Sequence, residues 1–143
     1  MTDRRTVLIR YDEIGLKGGN RKFFEKCLLR NIKRVLSGTN DIIYRSPRGR
    51  ILLDIPASLG AECTVRLKTV PGIASFSIGI SMAPDFDAMA DLGVQWIEPA
   101  LESVSSLKFC VKTRRSAKSF PKTSPEVNFE VGSRIMTKLS SRG

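Results

Sequence analysis

The sequence predicts an α+β fold made of two successive units, residues 1–82 and 83–143. The first observation behind this prediction is an order of strand, helix, strand, strand, helix and strand within residues 6–82. The second is a new helix start at Pro84 and Asp85, which comes directly after the last of these strands. Neither internal repeats nor low-complexity tracts interrupt the pattern.

The first unit opens with a strand and an amphipathic helix. Residues 6–11 are β-branched and aliphatic, which is typical of a strand. After a polar loop containing glycines, Asn20 caps a helix that runs to about Ser37, and Gly38 stands where a helix commonly ends. Apolar residues recur along one side of this helix at intervals of three and four. The opposite side carries cations at the same spacing, namely Lys22, Lys26, Arg30 and Lys33.

The remaining elements complete a recognisable topology. Strands are predicted at residues 42–45 and 50–55, joined by a turn-type tetrapeptide at 46–49. A short helix at 58–68 and an alternating strand at 75–82 follow. The resulting order is the split βαβ arrangement of ferredoxin-like domains.

The second unit contains two helices and a single strand. A helix is expected to run to about Glu98, with Pro99 marking a kink or its end, and to pack Trp96 inside the fold. Alternation over residues 107–112 predicts a strand, and Ser124 is expected to cap the last helix, with Pro125 as its first residue. A lone strand lacks a partner, so either it joins another sheet or the chain is a fragment. We favour the fragment.

The charge distribution indicates an anionic partner. The net charge is +10, and residues 1–50 hold 13 Lys and Arg against 5 Asp and Glu. Residues 51–107 hold 2 against 7, whereas residues 108–143 hold 9 against 2. Two basic blocks around an acidic one suggest that folding brings the basic blocks onto a shared surface. Nucleic acid is the first candidate for that surface and an anionic membrane surface the second.

Several classes of function find no support in the sequence. No apolar run reaches about 18 residues, and the N-terminus lacks a signal peptide, so we expect a cytoplasmic protein that does not span a membrane. The three cysteines form no Cys-x-x-Cys pair and histidine is absent, so a metal site is not expected. No carboxylate pair or other catalytic group is evident, so no catalytic residue is predicted.

Two segments have the composition of RNA-binding loops. The first, residues 13–21, combines three glycines with Lys17 and Arg21, and it fits either a phosphate-binding loop or an ordinary turn. The second, residues 112–125, combines cations and hydroxyls with Phe120, which either stacks on an unpaired base or packs in the core. Together with cations of the first predicted helix, these segments supply the candidate RNA-binding residues. They are Lys17, Arg21, Lys22, Lys26, Arg30, Lys112, Arg114, Arg115, Lys118, Phe120 and Lys122.

The same segments carry a resemblance to a known family. Arg10-Tyr11-Asp12-Glu13, Leu16-Lys17-Gly18 and Asn20-Arg21 resemble the start of tRNA 4-thiouridine synthetases, the tRNA sulfurtransferases also linked to thiamine thiazole synthesis. Val70-Pro71-Gly72-Ile73 resembles the junction region of that family. Lys112-Thr113-Arg114-Arg115 and Thr123-Ser124-Pro125-Glu126 resemble its THUMP domain. The similarity spans nearly the whole chain.

This resemblance implies a ferredoxin-like domain at 1–82 and a THUMP domain at 83–143 whose closing strands lie beyond the chain. In that family the pair binds the acceptor stem and 3′ end of tRNA and presents them to a downstream catalytic domain. ATP is the cofactor of that domain only, so this chain alone is expected to bind no cofactor and to show no enzyme activity. For the full-length family member, the resemblance leaves room for a homodimer.

The leading hypothesis is therefore a tRNA-binding module that positions tRNA for a thiolating, 4-thiouridine-forming domain. One alternative is the RNA-binding part of another THUMP-containing enzyme, such as a tRNA methyltransferase or a pseudouridine synthase. Another alternative is a standalone RNA-binding adaptor. The reading frame downstream of Gly143 would distinguish the three.

Overall fold

A computed structural model describes residues 3–11, 20–47, 50–115, 117 and 119–142. The chain divides into two compact units, Met1–Ser81 and Met82–Gly143. Most of the glycine-bearing loop after the first strand, including Lys17, lies outside the described residues, and so does Lys118.

The first unit, unit 1, contains one sheet and two α-helices. The sheet has four antiparallel strands in the order β2-β3-β1-β4. This topology confirms the predicted ferredoxin-like arrangement. The elements are β1 (Arg4–Tyr11), α1 (Asn20–Val35), β2 (Ile43–Arg45), β3 (Ile51–Pro56), α2 (Gly60–Leu67) and β4 (Ile73–Gly79), with a short 3₁₀ turn before α2.

The core of unit 1 lies between one face of the sheet and the two helices. Side chains alternate between the faces of a strand, so Val7 and Ile9 of β1 point to the same side. That side packs against Leu28 and Ile32 of α1, which are four residues apart on one helix face. Gly38 follows α1 with a φ of 87°, as expected for the residue that ends a helix.

The last strand of unit 1 differs from the prediction. Alternation placed it at 75–82, but β4 spans Ile73–Gly79. The pairing shifts between Arg10 and Tyr11, so that Arg10 lies opposite Ser75 and Tyr11 opposite Ile73. The irregularity brings both Ile73 and Phe76 against the core although they are three residues apart. The alternation of apolar residues along one strand does not reveal a shift in pairing register, because the register depends on the partner strand.

The second unit, unit 2, is built on two helices, α3 (Phe86–Leu101) and α4 (Ser124–Arg142). The Asp85 side chain accepts hydrogen bonds from the backbone N–H groups of Asp87 and Ala88, at 2.9 and 3.3 Å, and so caps α3. The helix does not end at Pro99. This proline lies in the last turn, where its missing N–H removes only one helical hydrogen bond.

The two helices of unit 2 pack at close range. The core contains Ala90 and Val94 from α3 and Val127, Val131 and Ile135 from α4. A Cβ atom added at Gly93 would stand 2.7 Å from Cδ1 of Ile135. Gly93 therefore lets the helices approach closely, which offsets its low helix propensity.

The prediction that residues 107–112 form a strand is wrong. Phe109 and Val111 do pack against the core of unit 2, as their alternation indicated. Within the described part of the chain, however, this segment joins no ladder. A strand requires hydrogen-bonding neighbours, and the described residues of unit 2 contain no second strand.

The cap of α4 is Thr123 rather than Ser124. The Thr123 hydroxyl accepts a hydrogen bond of 3.3 Å from the N–H of Glu126, and its carbonyl accepts the N–H of Val127 at 3.0 Å. Ser124 is already helical. A Thr-x-x-Glu sequence at this point is the pattern of a capping box.

Removing this cap should destabilise unit 2. We expect Thr123→Ala to lower the free energy of unfolding by about 1 kcal/mol, because one helix N–H group loses its acceptor. Ser124→Ala is the matched control and should change stability by less than about 0.5 kcal/mol. Urea unfolding monitored by circular dichroism measures both. Equal losses in the two variants would contradict the assignment of Thr123 as the cap.

Candidate nucleic-acid interface

The solvent face of α1 carries an uninterrupted row of cations. Lys22, Lys26 and Arg30 are exposed, while Leu28 and Ile32 on the other side are buried. None of the ion pairs found between described residues involves these three cations. Like charges four residues apart weaken a helix by about 0.2–0.5 kcal/mol per pair. Since the row does not stabilise α1, it is better explained by an anionic partner.

Two further features of α1 bear on this face. Lys33 continues the row, and its Nζ lies 5.2 Å from the centre of the Tyr44 ring. Phe23 stands beside Lys22 and is 68% exposed. Sequence reasoning missed Phe23, although its position off the apolar spacing of the helix was a usable signal. An exposed aromatic ring next to cations is suited to stacking on an unpaired base.

The start of α1 is tied to the end of β1 through Tyr11. The Tyr11 ring packs on Phe24 with 5.9 Å between centroids, and its hydroxyl donates a hydrogen bond to Glu25. Burial raises the pKa of Tyr11, and the hydrogen bond to Glu25 raises it further, so the hydroxyl remains a donor. Glu25 also pairs with Arg21, at 3.5 Å from Nε. Arg21 is thus anchored at the first turn of the helix.

The cations of the predicted basic loop in unit 2 differ in their contacts, because one of them, Arg115, forms hydrogen bonds within the loop. Lys112 and Arg114 are exposed. Nη1 of Arg115 instead donates to the carbonyl oxygens of Phe120 and Lys122, at 3.4 and 3.3 Å. Arg115 therefore links the two ends of the loop, while Lys112 and Arg114 are available to phosphates.

Phe120 occupies the core side of the same loop. Its ring lies 6.5 Å from that of Phe86 at an angle of 60°, and it packs against the buried cluster of unit 2. This placement favours packing in the core over stacking on a base, the two interpretations that the sequence left open for Phe120. Composition alone did not separate the two, because burial depends on α3, which is distant in sequence.

An apolar groove of about 720 Å³ opens in unit 2. It is lined by side chains of α3, α4 and the segment at 109–120, among them Trp96, Phe109 and Val131. Trp96 is 60% exposed, so the expectation that it packs inside the fold is wrong. The indole lies at the groove, where the described residues place no further strand over it.

The described residues show neither a metal centre nor a membrane span. Within these ranges no three Cys, Asp or Glu side chains are grouped so as to hold a metal ion. Likewise, no helix in the described ranges is long and apolar enough to cross a membrane.

Comparison with known families identifies both units. A family model of the ThiI ferredoxin-like domain matches residues 6–77. The chain belongs to the ThiI family. The model of the THUMP domain matches residues 83–142, so the resemblance predicted from the sequence motifs is confirmed for both units.

Curated relatives agree with this assignment. The chain is 36% identical to a probable tRNA sulfurtransferase of Halothermothrix orenii, over 96% of this chain and 34% of that protein. It is 33% identical to a probable tRNA sulfurtransferase of Thermotoga maritima, over 95% of this chain and 34% of that protein. The ThiI-family chain thus spans about a third of the length of the relatives it matches.

Solved structures show the same fold. A crystal structure of a 4-thiouridine synthetase–RNA complex with bound ATP matches at a TM-score of 0.73 and 33% identity, covering 94% of this chain and 33% of that chain. PH1313 from Pyrococcus horikoshii also matches at a TM-score of 0.73, with 27% identity over 93% of this chain and 44% of that chain.

Proposed function

We propose that this ThiI-family segment binds tRNA and positions it for the formation of 4-thiouridine. The observation that carries the proposal is the exposed row of Lys22, Lys26 and Arg30 on a domain of this family, free of ion pairs among the described residues. The sequence relatives named as tRNA sulfurtransferases support tRNA as the substrate. The matching 4-thiouridine synthetase, solved in complex with RNA, supports an RNA-facing role.

Binding by such a surface is mainly electrostatic. Each lysine or arginine that meets a phosphate releases condensed counterions, which drives association without reading base sequence. Lys112 and Arg114 in unit 2 add contacts of the same kind, and Phe23 adds a surface on which an unpaired base can stack. Selectivity for tRNA then follows from the shape of the folded RNA and from its 2′-hydroxyls.

The chemical step belongs, in this proposal, to the part of the relatives that this chain does not span. Relatives are about three times as long, and ATP is bound in the matching synthetase structure. The described residues include no three Cys, Asp or Glu side chains grouped so as to hold a metal ion. Their contribution is to hold the RNA and to limit its orientation, which lowers the entropic barrier of a later reaction.

We further propose that the segment recognises the acceptor stem and 3′ end of tRNA. A minihelix containing only these parts should displace labelled tRNA from the chain with an affinity within about tenfold of full tRNA, because it retains most phosphate contacts. An unstructured RNA of equal length serves as the control and should compete more weakly. Displacement by full tRNA with none by the minihelix would place the contacts elsewhere on the tRNA. Equal competition by the unstructured RNA would contradict recognition of shape.

A further inference from the structure

The sheet of unit 1 has a second face that points away from α1 and α2. Both helices pack on the side of Val7 and Ile9, so the intervening residues of β1 face the other way. Leu8 lies opposite Leu52 of β3 and opposite Ser77 of β4. Arg45 of β2 lies opposite Leu52 on its other side. A row of side chains therefore crosses all four strands without a covering helix from unit 1.

This face has an acidic end and a basic end. At the start of β1, Arg4 donates to the carboxylates of Asp41 and Asp54 at 2.8 Å each, so two carboxylates surround one guanidinium. At the opposite end of the strand, about 20 Å away, Arg10 is exposed. Arg45 is exposed as well, and neither of these arginines pairs with a carboxylate of the described residues.

The basic end also holds Arg50 and oriented hydroxyl groups. Arg50 stands one residue before β3, and because Ile9 lies opposite Ile51, it comes next to the Arg10 end of β1. Like charges that face each other across strands repel, and an anion between them relieves the repulsion. Nη1 of Arg10 donates to the hydroxyls of Ser77 at 2.9 Å and Ser75 at 3.5 Å. These bonds orient the guanidinium and leave its other N–H groups for a ligand.

We propose that this end of the open sheet face binds the sugar–phosphate backbone of RNA. The inference rests on the proposed function and adds to it a second RNA contact, on the side of the sheet opposite α1. Arginines and serine hydroxyls are the groups that bond phosphate oxygens and ribose 2′-hydroxyls. Half-buried Leu8 and Leu52 supply apolar contact with the sugars. The described residues of this face include no aromatic ring, so backbone contact is favoured over base stacking.

The test is a pair of double variants with the same change in charge. Arg10→Gln with Arg45→Gln removes two cations from the basic end. Arg5→Gln with Lys68→Gln removes two cations that lie outside the proposed surfaces, since Arg5 shares the strand face of Val7 and Ile9 and pairs with Asp3, and Lys68 follows α2. The loss of two phosphate contacts should weaken tRNA binding about 25- to 60-fold at 0.1 M salt and reduce the salt slope by about 1.4–1.8. The control should change both quantities much less.

Binding titrations of the full chain decide between the outcomes. If wild-type chain binds tRNA and the two double variants bind equally well, the sheet face makes no contact, while the proposed function stands. If wild-type chain binds no tRNA, the proposed function fails and this inference fails with it. Amide NMR shifts of the wild-type chain provide a second measurement that needs no variant. On addition of tRNA, Ser75 and Ser77 should shift more than residues around Arg4, and the reverse would overturn the inference.

Discussion

Raising the salt concentration from 50 to 200 mM should weaken tRNA binding to this chain by about 130- to 500-fold. The estimate assumes that about five phosphates are neutralised, three by the α1 row and two by Lys112 and Arg114. Each neutralised phosphate contributes about 0.7 to the slope of log affinity against log salt for single strands and about 0.9 for duplex. The expected slope is therefore about −3.5 to −4.5. Fluorescence anisotropy of labelled tRNA at four or more salt concentrations measures it.

The salt series also separates charge from other sources of affinity. A slope near zero would mean that the cations of α1 do not meet phosphates, and the proposed interface would be wrong. Contacts by the basic end of the sheet would make the slope steeper than the estimate for five phosphates. Repeating the series with an unstructured RNA of equal length provides the control, because counterion release alone does not distinguish RNA shapes.

Reversing two charges in the row should have the second large effect. Lys26→Glu with Arg30→Glu should weaken tRNA binding by more than about 25-fold at 0.1 M salt, since two contacts are lost and two repulsions are added. The salt slope should flatten by about 2. Stability should not fall, because both side chains are exposed and the new glutamates lie four residues from Lys22 and Arg34. Such opposite-charge pairs stabilise a helix by about 0.2–0.5 kcal/mol each.

The loop of unit 2 offers the matching comparison. Lys112→Glu with Arg114→Glu makes the same change in charge, and it spares Arg115, whose bonds to two carbonyl groups hold the loop. Lys68→Glu with Lys108→Glu is the net-charge control, because neither lysine belongs to a proposed surface. If only the loop pair weakens binding, the RNA meets unit 2 alone. The hypothesis that both basic blocks contact one RNA would then be wrong.

The buried and exposed faces of α1 could be predicted in detail because they depend on local geometry. A helix repeats every 3.6 residues, so the spacing of Leu28 and Ile32 already separated the buried face from the row of Lys22, Lys26 and Arg30. The order of the elements likewise indicated the ferredoxin-like topology before any strand pairing was known. The family resemblance was also a property of the sequence, because it depends on short motifs in a definite order.

Only the tertiary structure decided which of the remaining side chains are buried and which are exposed. Phe120 packs on Phe86, a choice that composition had left open, and Trp96 is exposed, contrary to what was expected of it, since burial depends on elements distant in the chain. The irregular pairing of β4 depends on neighbouring backbone, and so does the lack of a strand partner for residues 107–112 among the described residues. For the same reason the basic end of the open sheet face was not predicted. Arg10 and Arg45 lie 35 positions apart in sequence, and only the register of β1, β3 and β2 brings them to one end of one face.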